Sequence, residues 1–146
     1  MSANSRRLAL CCGTIIAALY IVGLVSGTEI RHVVQTLPLW LGVVFGLRRS
    51  QAARWLALPM FLFWLGIMVL IWLFLLGWAH VVSGHFTPTE ILMTVVVGIA
   101  SVLGTVFCVI GPRGAKPIRA LAALLIGAVL QLIVLQVSLL PWIARR

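Results

Sequence analysis

The chain is predicted to be an all-α integral membrane protein, a bundle of five transmembrane helices with its N-terminus inside and its C-terminus outside. Three observations predict this. Hydrophobic residues make up 63% of the 146 residues and charged residues only 9%. In water such a composition leaves large apolar patches uncovered, whereas lipid accommodates them. The apolar residues fall in five stretches, about 8–27, 29–47, 56–79, 89–110 and 119–140, and about 20 residues rising 1.5 Å each cross the hydrocarbon. Finally, Lys and Arg gather on alternate connections. With the N-terminus inside, Arg6, Arg7, Arg48, Arg49, Arg54, Arg113, Lys116 and Arg119 are cytoplasmic, and only Arg31, Arg145 and Arg146 lie outside. That is the positive-inside bias of a bacterial inner (plasma) membrane protein.

Residues 1–146 form a single transmembrane domain, with no length left for a soluble one. The net charge of +9 would also suit nucleic acid, but the cations flank apolar segments instead of forming one basic surface. The lipid bilayer and its anionic head groups are the expected partner, with no nucleic acid.

Helix 1 begins after Arg6-Arg7 and ends near Gly27, a residue able to take the left-handed conformation that closes a helix. Its apolar run is longer than the core of a signal peptide, so a retained span is expected. Ser26 and Glu29 are spaced as a capping box for helix 2. The short link makes helices 1 and 2 an antiparallel hairpin. Helix 2 is read as a kinked span, because Pro38 deprives the Val34 carbonyl of its partner. Helix 3, about 56–79, carries Trp55 at its inner end and Trp78 at its outer end, placed as interfacial anchors. Helix 4 opens on Thr87, Pro88 and Glu90, a cap followed by proline and a glutamate that reaches back. On its flank Thr94, Gly98, Ser101, Thr105 and Cys108 recur in steps of four and three. Such a small-residue seam lets another helix approach, within the chain, in a second copy or in another membrane protein. Helix 5 follows a Gly- and Pro-rich turn and carries Gln131 and Gln136, about 140° apart around the helix.

The residues able to do chemistry are unevenly placed. The two carboxylates, Glu29 and Glu90, and the three histidines, His32, His80 and His85, all map to the outer side. Cys11, Cys12 and Cys108 map to the reducing inner side, where they are expected to pack as small apolar residues rather than pair. On helix 2, Glu29, His32, Gln35 and Thr36 fall within an arc of roughly 120°, with Arg31 just beyond its edge. They descend from the surface into the hydrocarbon, where polar groups must face protein or water. The stripe is either glue between helices, with Gln35 meeting Gln136, or the wall of a vestibule for a ligand or proton. Histidine would let such a vestibule titrate between about pH 5 and 8. Glu90 already has a capping task, and His85 sits alone in a loop.

The leading functional expectation is a small accessory or transport-related subunit with a polar outward-facing vestibule built from Glu29, Arg31, His32, Gln35 and Thr36. One alternative is a copper- or zinc-handling protein using His32, His80, His85 and Glu29, donors such metals accept. A second is a small intramembrane enzyme. No catalytic residues and no cofactor are assigned: the chain has no Asp to orient a triad, no Gly-rich phosphate loop, and one lysine, Lys116, in a turn.

Overall fold

The apolar runs become helices whose ends are set by local chemistry. The computed structural model describes residues 3–48, 50–81, 84–110 and 116–144; Arg49, Arg113, Arg145 and Arg146 lie outside them. The elements are α1 (Ala3–Ser26), α2 (Glu29–Leu47), α3 (Ala53–Leu75), α4 (Pro88–Ile110), α5 (Pro117–Ser138) and a short α6 (Pro141–Ala144). The first five are long and apolar enough to cross a membrane.

Gly27, at φ 64°, closes α1 as expected, and the Thr28 N–H reaches the Gly23 carbonyl at 2.9 Å, a Schellman closure. The same device ends α3 earlier than its apolar run predicts. Gly77 has φ 74° and Trp78 N–H donates to the Leu73 carbonyl at 2.9 Å. Trp78 therefore stands outside the helix and exposed, because hydrophobicity alone does not register a glycine stop.

The expected Ser26–Glu29 capping box is not formed. Ser26 is consumed by the end of α1, where its hydroxyl donates to the Val22 carbonyl at 2.8 Å. Thr28 is the residue before α2 and makes no side-chain capping bond. The box at α4 does form: Thr87 N–H donates to Glu90 Oε2 at 2.6 Å and Glu90 N–H to Thr87 Oγ1 at 3.2 Å. Pro38 lies inside α2 and Pro59 inside α3, each removing one rung of the helical ladder.

The helices close a ring in the order α1, α2, α5, α3, α4, with a lesser contact between α2 and α3. Small residues set the close approaches. A Cβ on Gly42 would lie 2.7 Å from Cys12 Sγ, and one on Gly46 2.9 Å from the Ser5 carbonyl, fixing α2 against α1. On α4 the tight glycine is Gly104, where a Cβ would meet the Phe61 ring at 2.5–2.7 Å. Within the expected helix 4 seam, Thr94, Ser101 and Cys108 are buried, while Gly98 and Thr105 are half-buried. The core comprises Cys12, Ile15, Leu39, Met60, Phe61 and Val97. Cys11, Cys12 and Cys108 are free and buried.

The alternation of the helices sorts the charges. Arg6, Arg7, Arg48, Arg54, Lys116 and Arg119 gather at one end, where α1, α3 and α5 begin and α2 and α4 finish. Arg31, Glu29, Glu90 and the three histidines sit at the other. These are called below the basic end and the carboxylate end.

Candidate functional site

At the carboxylate end the ring does not close fully, and a cavity of about 330 Å³ opens between its helices. All five long helices contribute to its wall. From α1 come Leu19, Val22 and Ser26, and from α2 come Arg31, His32 and Gln35. The α3 face is Phe63, Trp64, Ile67, Met68 and Ile71; the α4 face is Glu90, Met93, Thr94 and Val97. Leu135 of α5 and the connection at Gly84, His85 and Phe86 complete it. The charged and imidazole groups of Arg31, His32 and Glu90 occupy the first turns of α2 and α4, and Gln35 and Thr94 lie about a turn deeper. Leu19, Phe63, Trp64, Ile67, Met68 and Val97 line the inner part of the cavity. A volume of this size and composition suits a small organic molecule.

His32 is half-buried and held from one side. Its Nδ1 lies 3.0 Å from the Thr28 carbonyl and 3.1 Å from Thr28 Oγ1, which itself lies 2.5 Å from Ser26 Oγ. A carbonyl only accepts, so the neutral ring carries its proton on Nδ1. That leaves Nε2 as the acceptor not used by Thr28.

Gln35 is buried and donates through Nε2 to Ser138 Oγ at 3.1 Å, and Ser138 in turn donates to the Leu135 carbonyl at 2.8 Å. The expected partner Gln136 is exposed instead. Glu90, only 9% exposed, spends one acceptor position on its cap. A carboxylate has about four such positions, so capping and facing the cavity are compatible. Arg31 makes no hydrogen bond or ion pair among the described residues. Trp64, 4% exposed, has a buried indole N–H with no acceptor among them.

The structure thus brings together Arg31, His32 and Gln35 of helix 2, and adds Glu90 of α4 and His85 of the α3–α4 connection. It does not bring in Glu29 or Thr36. Glu29 is exposed on the outside of the α1–α2 link. Thr36 is fully buried but turned to α1: its hydroxyl donates to the Val33 carbonyl at 2.9 Å and lies 3.3 Å from the Tyr20 hydroxyl. The indole N–H of Trp40 reaches the same hydroxyl at 3.3 Å. His80 packs edge-on against Phe74, centroids 6.1 Å apart. Among the described residues no three His, Cys, Asp or Glu side chains are placed to hold a metal ion.

Sequence reasoning missed the α3 and α4 walls. The α4 wall had a signal, since Glu90, Met93, Thr94 and Val97 follow the 3-1-3 spacing of one helix face. Trp64 had none, because α3 is apolar all round. Comparison with protein-family models, curated proteins and solved structures finds no match.

Proposed function

We propose that this chain is a small multi-pass protein of the bacterial inner membrane, N-terminus inside. In this reading it serves as a transport-related or accessory subunit, and its carboxylate-end cavity is an outward-opening vestibule for a small organic ligand. The observation that carries the proposal is the cavity itself, with its charged and imidazole groups at the carboxylate end, a mostly apolar lining further in, and a wall drawn from every long helix. A cavity needed only for packing would be filled, because membrane helices associate through close van der Waals contact. The copper or zinc alternative has no donor set among the described residues, which favours an organic ligand.

Cysteine accessibility tests this. The three native cysteines are buried, so background labelling is low. Met93→Cys places a thiol in the cavity wall, and Leu92→Cys places one on the exposed apolar face. A membrane-impermeant maleimide added outside intact cells should label Met93→Cys and leave Leu92→Cys in lipid unlabelled. Failure to label Met93→Cys, or labelling only from the cytoplasmic side, would overturn the vestibule.

A further inference from the structure

The cavity wall holds one charge of each sign, Arg31 on α2 and Glu90 on α4. The α4 cap uses one acceptor position of Glu90, and nothing in the fold accounts for Arg31. Arg31 lies in the first turn of α2, where the helix dipole disfavours a cation. It is also the Lys or Arg that stands apart from the basic end among the described residues, and it has no hydrogen-bond or ion-pair partner there. Glu90 faces the same cavity from α4, and the two form no ion pair with each other. Arg31 is half-buried and Glu90 buried, so bulk water screens the pair incompletely, and opposite charges held apart leave each short of a counter-charge. A purely anionic ligand would satisfy Arg31 and be repelled by Glu90. A purely cationic one would meet the converse, and an uncharged one would satisfy neither. Below the charges lies an apolar floor of Phe63, Trp64, Ile67, Met68 and Val97.

Resting on the vestibule reading, we infer that the cavity takes a zwitterionic amphiphile. Its acid group, carboxylate or phosphate, pairs with Arg31. Its ammonium pairs with Glu90 and donates to Nε2 of His32, and its apolar part lies on the aromatic and aliphatic floor. Two sources carry this chemistry: the head group of a zwitterionic phospholipid, and a free amino acid with an apolar side chain.

The test uses the full chain purified in decyl maltoside, with binding followed by thermal stabilisation over a concentration series of each probe. Dihexanoyl phosphatidylethanolamine and L-phenylalanine represent the two sources; hexanoate, hexylammonium and hexanol are the controls. At least one zwitterion should bind about tenfold or more tightly than every control, as expected when a desolvated charge finds its partner. Binding of the short-chain lipid alone assigns the head group, and binding of phenylalanine alone assigns the free amino acid. Arg31→Gln and Glu90→Gln should each bring the zwitterion down to the level of the single-charge probes. Glu90→Gln keeps a side-chain carbonyl for the Thr87 cap, so its loss of binding is not loss of the helix start. Controls binding as tightly as both zwitterions would overturn the inference, as would no binding by any probe. In either case Met93→Cys labelled from outside leaves the vestibule standing, whereas an unlabelled Met93→Cys removes that reading as well.

Discussion

Two glycines on α4 separate what a small residue does from where it merely recurs. Gly98 belongs to the helix 4 seam read from sequence, yet a Cβ there would meet only Met68 Cβ, at 4.0 Å. Gly104, outside that seam, would bring a Cβ within 2.5–2.7 Å of three ring carbons of Phe61, which is fully buried. Periodicity marks a stripe of small residues, but not which edge of the stripe faces the neighbour. Gly104→Ala should therefore destabilise the protein by about 1–3 kcal/mol, the cost of overpacking a filled core. Gly98→Ala should stay within about 0.5 kcal/mol of the parent. Unfolding in mixed micelles measures both, and Phe61→Leu should restore part of the Gly104→Ala loss by removing the clashing ring. Equal effects at the two glycines would contradict the packing described for α3 and α4.

Between elements, the bond from Gln35 to Ser138 fixes the rotation and height of α5 against α2. Ser138→Ala removes the acceptor and should cost about 0.6 kcal/mol and no more than about 1.7, the average and the maximum for polar contacts between membrane helices. Gln35→Leu combined with Ser138→Ala should cost less than the sum of the two single changes, because both delete one interaction. Strict additivity in the same unfolding assay would show that the bond contributes nothing. The sequence exposed the ingredients of this contact but paired them wrongly, and the reason is geometric. Two residues along a helix turn about 200°, so moving the partner from Gln136 to Ser138 moves it to the opposite side. Most features decided within a few residues were legible, namely the five apolar stretches, the Gly27 closure and the Thr87–Glu90 cap. Ser26, however, turned back to α1 instead of capping α2, and the Gly77 stop of α3 was missed. Features decided across helices were not legible, including the cavity-facing role of Glu90 and the burial of Thr36 against Tyr20. The Thr87-Pro88-x-Glu90 pattern accounts for Glu90 as a cap and gives no sign of the cavity, although the acceptor capacity of a carboxylate exceeds that one bond.

For the whole molecule, the sorting of charge predicts which side of a membrane the proposed vestibule would face. Among the described residues six cations gather at the basic end, and Arg31 is the one Lys or Arg at the carboxylate end, with Glu29, Glu90 and the histidines. Connections rich in Lys and Arg are retained in the cytoplasm, and the bias is counted over short loops close to the spans, as these are. Acidic residues contribute little to that count, so Glu29 and Glu90 do not weaken the argument. The cavity is then expected to open away from the cytoplasm, with α5 returning the chain to the same outer side. A C-terminal alkaline phosphatase fusion should be active and a C-terminal green fluorescent protein fusion dark. Neutralising Arg6, Arg7 and Arg48 while adding three lysines beside His80 should yield a mixture of orientations, since the bias would then be divided between the two ends. A bright fluorescent fusion with inactive phosphatase would place the carboxylate end inside. The ligand of the cavity would then have to come from the cytoplasm or its leaflet.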